Sequence, residues 1–180
     1  RRQRQMCIRD RVPMMPEYGL GFWQCKLRYY NQEQVLNVAR EYKKRGIPLD
    51  VFVIDYYHWP RCGDYRFDEE YFPDPKAMID ELHEMGFTVL LWVVPYVCPD
   101  GEKFIRSIRP DIGGKKEAEK GLYLRTRTGE VALLKWWNGY SAALNLANPI
   151  DAEFLDEQLQ ALMRDYLDSV SLGDIVAHRQ

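Results

Sequence analysis

The chain has 180 residues, 46% of them hydrophobic and 13% aromatic, with a formal net charge of -2. That composition excludes a disordered polar chain, and no apolar run approaches the roughly 20 residues of a membrane helix. Of the 25 basic and 27 acidic residues, five arginines and one aspartate lie in the first eleven positions; the remainder, 20 against 26, is an acidic body that disfavours nucleic acid as a partner.

The arginines at the start (Arg1, Arg2, Arg4, Arg9 and Arg11) show neither the aromatic interleaving nor the amphipathic period of a nucleic-acid or membrane-binding arm. Residues 1–17 are therefore set aside as a non-native or disordered arm. A first strand is expected over 18–23. It leads into a helix over 31–45, with Val35, Val38, Ala39 and Tyr42 on the buried stripe and Gly46 as the stop. The β-branched run 51–54, apolar on both faces, suits a parallel strand covered by helices, and it ends in Asp55. Asp74 can cap a second helix opened by Pro75, with Met78, Leu82 and Met85 on one face and Gly86 after it. A third strand follows over 89–94, completing a right-handed βαβ crossover.

Beyond it comes a long connection, an insertion at about 98–146. Within it, residues 122–125 and 131–135 flank a polar turn at 126–130 and read as a small hairpin. The last helix opens with Asn148 as cap and Pro149 in the first turn, has Asp151 near its positive end, and buries Leu155, Leu159, Leu162 and Tyr166. A fourth parallel strand should then appear. Residues 168–180 are too broken by Gly173 and Asp174 to supply it, and read as an irregular tail. The fold expected is α/β, about three parallel strands of a partial TIM (β/α)8 barrel, over residues 18–167. A closed barrel of that kind needs eight strands, so the chain is expected to be a fragment that needs the missing strands for a stable fold.

The four cysteines, Cys7, Cys25, Cys62 and Cys98, form no CxxC pair, so their spacing indicates neither a zinc site nor a disulfide framework. His83 begins HEMGF and lacks the second histidine of a zinc-protease helix. The run from Gly113 to Lys116 is the one weak candidate for a phosphate turn. No metal and no cofactor is called for. The strand ends carry the chemistry. Asp55 is followed by Tyr56, Tyr57, His58 and Trp59, and Trp92 lies near the end of the third strand. A carboxylate beside an aromatic wall suits a pyranose, which offers hydroxyls to the one and an apolar C–H face to the other. Core packing for the rings and a capping role for Asp55 would explain the same residues, and spacing alone does not separate the two.

Three stretches resemble the catalytic barrel of glycoside hydrolase family 31. They are GFWQCKLRYYNQEQVLNVAREYKKRGIPLDVFVID, then W-x-x-x-GDYRFDEEYFPDPKAMIDELHEMGF, then VLLWVVPYV. The similarity runs over about residues 18–166, and WWNGYSAALNLANP at 136–149 looks like that family's lead-in to its fourth strand. The resemblance implies an enzyme of the α-glucosidase, α-xylosidase or α-galactosidase type, retaining through a covalent glycosyl-enzyme, with an α-linked oligosaccharide or glycoside as substrate. It implies that Asp55 hydrogen-bonds the sugar left of the scissile bond, that Trp92 packs on that sugar, and that Arg28 lines the same pocket. His58 and Trp59 either floor the pocket or stiffen its loop, and Asp64, Arg66 and Asp68 read as a loop staple. The family's nucleophilic aspartate follows the fourth strand and its acid/base aspartate the sixth. Both are expected beyond this chain, and neither Asp168 nor Asp174 is assigned the role. A noncatalytic carbohydrate-binding remnant is the alternative.

Overall fold

The computed structural model describes residues 14–109, 111 and 121–167. The first thirteen residues of the arm, the run at 113–116 and the tail with Asp168 and Asp174 lie outside the described residues. The first strand is displaced from its expected position. Residues Glu17–Leu20 form a 3-10 turn behind Pro16, and strand β1 is Trp23–Lys26. Its start is fixed by Asp50, whose carboxylate accepts from Phe22 N at 3.1 Å while its own backbone N–H donates to Phe22 O at 3.1 Å. Gly21 sits so close to the Asp50 carboxylate that no Cβ fits there.

Helix α1, Gln32–Lys44, is capped by Asn31, whose side chain accepts from Gln34 N at 3.0 Å; Glu33 and Lys43 complement its two ends. Strand β2 is Val51–Ile54. Helix α2, Pro75–Glu84, is capped by Asp74, which accepts from Ala77 N at 3.0 Å. Strand β3, Thr88–Leu91, is shorter than the run 89–94, and Pro95 has no N–H to extend a ladder. The three strands lie in order β1-β2-β3, parallel throughout. One core fills the space between this sheet and the helices: Val35, Leu36 and Ala39 from α1, Met78, Ile79 and Leu82 from α2, and Phe52 and Ile54 from β2. At roughly 1.5–3 kcal/mol for each large side chain buried, this layer is the main stabilising element of the wedge.

After β3 the chain builds a second sheet. Strand β4, Tyr96–Val97, is followed by helix α3, Glu102–Ile108, and then by β5, Leu133–Trp136, and β6, Gly139–Ala143. The order is β4-β6-β5, antiparallel. The expected hairpin is present but short: Arg125 and Val131 form an antiparallel bridge, Thr126 N donates to Glu130 O and Ala132 N to Leu124 O, both at 2.8 Å, and a second, longer hairpin turns at Trp137-Asn138. Residues 139–143 thus complete an antiparallel sheet before the chain enters its last helix.

Helix α4, Pro149–Leu162, is capped by Asn148 and runs into a π-helical turn at Met163–Leu167, where the Tyr166 ring meets Phe67 at 5.0 Å. Its buried stripe includes Phe154 and Leu162, with Leu155 packed against the second core. Asp151 does more than face the helix start. Fully buried, it accepts from Asn145 N at 2.5 Å and Tyr123 N at 3.1 Å, tying the segment before β5 to the segment after β6.

Candidate functional site

Strand alternation fixes which side chains share a face. Phe52 and Ile54 of β2, with Val89 and Leu91 of β3, pack on the helices. Val53 and Leu90 are register partners on the opposite face, and one pair further on the same parity carries Asp55 and Trp92. The ladder is still intact there, since Trp92 N donates to Ile54 O at 3.0 Å. Asp55 and Trp92 therefore leave the carboxyl ends of adjacent strands on the face turned away from the helices, where barrel enzymes place their sites.

The Asp55 carboxylate is half-buried and held by two donors. Tyr56 N–H donates to Oδ1 at 2.7 Å, and the Cys25 thiol on β1 donates to Oδ2 at 3.3 Å. Among the described residues no lysine or arginine pairs with it. A carboxylate has about four acceptor sites, so two donors orient the group and leave capacity for substrate hydroxyls. Trp92 meets Tyr56 edge-on at 5.2 Å and Trp59 at 5.6 Å. Tyr56 is the hub of this wall, touching Tyr57 at 4.5 Å and Trp137 at 4.6 Å as well. Burial raises its phenol far above the ordinary tyrosine range. It stays a neutral phenol.

Arg28 lies outward of this wall. Its guanidinium sits 4.3 Å from the Tyr57 ring and 4.6 Å from that of Tyr30, a stacking that the planar group favours. It lines a cleft of about 580 Å³ together with Tyr57, Trp59, Asp68, Asn138 and Tyr140. Asp55 and Trp92 do not line that cleft; Trp92 meets Tyr56, Tyr56 meets Tyr57, and Arg28 stacks on Tyr57. Arg61, also in the cleft, is paired with Asp100 at 3.2 Å.

Trp59 is both cleft wall and aromatic core, while His58 is buried behind it. His58 Nδ1 lies 3.1 Å from Asp55 O, and Nε2 is buried with no partner. Burial pulls its pKa down to about 4, so the ring is neutral at neutral pH and serves the loop behind the wall. Asp68 Oδ1 accepts from Glu70 N at 3.1 Å, and its backbone N–H bonds His58 O at 2.8 Å, the staple expected of that loop. Asp64 is buried, which raises its pKa above the usual carboxylate value. Trp137, Asn138 and Tyr140 were not legible as wall residues. The turn of the β5–β6 hairpin brings Asn138 and Tyr140 to the cleft and Trp137 against Tyr56.

The profile of the glycosyl hydrolases family 31 TIM-barrel domain matches residues 12–172. The chain belongs to glycoside hydrolase family 31. Within family 31 it is 52% identical over 85 residues to an uncharacterized family 31 glucosidase ORF2 of Pseudescherichia vulneris, covering 47% of this chain and 16% of that protein. The crystal structure of a family 31 α-xylosidase from a soil metagenome, complexed with xylose, superposes with a TM-score of 0.68 at 36% identity, over 87% of this chain and 21% of that one. A xylosidase from Aspergillus niger gives a TM-score of 0.71 at 28% identity, over 88% and 20%. The chain thus spans about a fifth or less of the length of these family 31 relatives. Among the described residues no group of three or more His, Cys, Asp or Glu side chains could hold a metal, and no helix is long and apolar enough to cross a membrane.

Proposed function

We propose that these residues form the sugar-recognition side of an α-glycosidase of the α-xylosidase or α-glucosidase type that acts with retention. The observation that carries this reading is the Asp55 carboxylate at the end of β2, free of any cation among the described residues and flanked by Trp92 on the same face. In this proposal Asp55 accepts hydrogen bonds from hydroxyls of the sugar left of the scissile bond, Trp92 stacks on its C–H face, and Arg28 lines the approach. The two reacting carboxyl groups, about 5 to 5.5 Å apart in retaining enzymes, come from barrel strands outside these 180 residues. One attacks the anomeric carbon while the other protonates the leaving oxygen; the second then activates the water that releases the sugar. Asp55 and the rings contribute orientation, which makes the attack effectively intramolecular.

The test is to express the gene extended through all eight barrel strands and follow hydrolysis of nitrophenyl α-xyloside, α-glucoside and α-galactoside by proton NMR. Release of the α-anomer first, from at least one of them, is expected. First release of the β-anomer would sink the retaining assignment, and sugar binding without turnover would favour a noncatalytic carbohydrate-binding barrel. The isolated 180-residue chain is expected to release no nitrophenol.

A further inference from the structure

Cys62 and Cys98 belong to different loops, one after β2 and one after β4, yet the two backbones run side by side. Cys98 N donates to Cys62 O at 2.9 Å. The approach is as close as a backbone allows: a Cβ on Gly63 would lie 2.7 Å from both Tyr96 O and Val97 Cα, and Gly63 adopts φ +89. The bond leaves only one carbonyl and one amide between the two Cα atoms, a spacing compatible with the roughly 4.4–6.8 Å span of disulfides. Both are free thiols, both border the cleft, and both pack in the same aromatic cluster.

We propose that Cys62 and Cys98 are a modification site that closes into a reversible disulfide when a small-molecule disulfide such as glutathione disulfide enters the cleft. Cys98, the more exposed thiol, loses its proton and attacks one sulfur of the oxidant. That S–S bond breaks, and the departing thiolate takes up the proton. Cys62, now donating to Tyr96 O at 3.4 Å, then gives up its own proton and attacks the Cys98 sulfur of the mixed disulfide, releasing the second glutathione as a thiol. Two protein thiols lose two electrons and the oxidant gains them. Burial, followed by the neighbouring Cys98, pushes the Cys62 thiol up to about 12, so this second step is the slow one. The product clamps the loop carrying Trp59 to the start of the second sheet and closes the chain around α2 and β3.

The experiment is to incubate the purified enzyme extended through all eight barrel strands with glutathione disulfide, block remaining thiols and map tryptic peptides without reduction. Expected is a cross-link between the peptide 62–66, which contains Cys62, and the peptide 77–103, which contains Cys98, with a mass two hydrogens below the sum of the separate peptides. The thermal midpoint should rise, as closing a loop of this length predicts, and fall back on adding dithiothreitol. Cys62→Ser should retain glutathione on Cys98 instead. If wild-type chain keeps both cysteines alkylatable, keeps glutathione on Cys98, or cross-links through Cys7 or Cys25, the proposal is overturned. The wild-type map decides even if the variant fails to fold.

Discussion

The Cys25 thiol donates to Asp55 Oδ2 at 3.3 Å, so a side chain of β1 holds the carboxylate at the end of β2. The relation runs both ways: burial first, and then the bond to and charge of Asp55, raise the thiol pKa above its ordinary 9.0. Alkylation of Cys25 by iodoacetamide should therefore have its pH midpoint above 9.0, and Asp55→Asn should lower it. An unchanged midpoint in that variant, read by mass spectrometry across pH, would show that the two groups do not couple in solution.

Asp55→Ala in the extended enzyme should lower kcat/KM by about a hundredfold, or about 2.7 kcal/mol, the scale of a charged hydrogen bond in a water-excluded site. The far-ultraviolet circular dichroism should not change, since among the described residues the Asp55 side chain bonds only Tyr56 N and the Cys25 thiol. A loss below threefold on every reporter would remove Asp55 from the sugar site.

His58 predicts a pH dependence of stability. Its pKa is lowered by burial to about 4 from 6.5, so the unfolded chain binds the proton first as pH falls. Stability is full above about pH 6.5, is lost progressively down to about pH 4, and the penalty is then constant at about 3 kcal/mol. Urea unfolding of wild type and His58→Gln, compared at pH 7.5 and 4.5, should show the acid loss shrinking in the variant. Parallel losses in both proteins would assign it to other groups.

Gly63→Ala and Gly46→Ala separate conformational strain from collision. Both glycines have positive φ, +89 and +62, but only at Gly63 would a Cβ meet backbone, whereas nothing lies within 4 Å at Gly46. Gly46→Ala should cost about 1 kcal/mol and Gly63→Ala at least about 2 kcal/mol more. Equal costs in chemical denaturation would mean that the loop relaxes away from Tyr96 and Val97.

Helix starts were readable because their signals are local. Asn31, Asp74 and Asn148 each sit at the cap, and the last two precede a proline in the first turn. β2 was equally plain, a β-branched run buried from both sides. β1 was not, because the residues from Tyr18 to Phe22 look apolar enough for a strand, while the strand itself, WQCK, is set by register with β2 and by the distant Asp50. The second sheet failed for the same reason: β6 pairs with β4 across the whole connection, a partnership that no local pattern announces. Asp151 looked like a helix-dipole residue and proved to be a long-range tie. In the site, Asp55 and Trp92 could be placed on one face by parity alone. The cleft beside Arg28 could not, since it is made by the hairpin turn.

Leu144 N donates to Pro95 O at 2.9 Å, next to the Tyr96–Ala143 pair of the second sheet. The two ends of the detour, Pro95 and Leu144, therefore meet across one hydrogen bond. Such a joint transmits little of what happens between its ends: the entropy of closing the intervening chain grows only with the logarithm of its length, and the parallel ladder below is paired before the detour begins. The wall can keep its register while the detour is lengthened, shortened or resurfaced, so the rim of the cleft is a part of this protein that can change its chemistry without renegotiating the barrel.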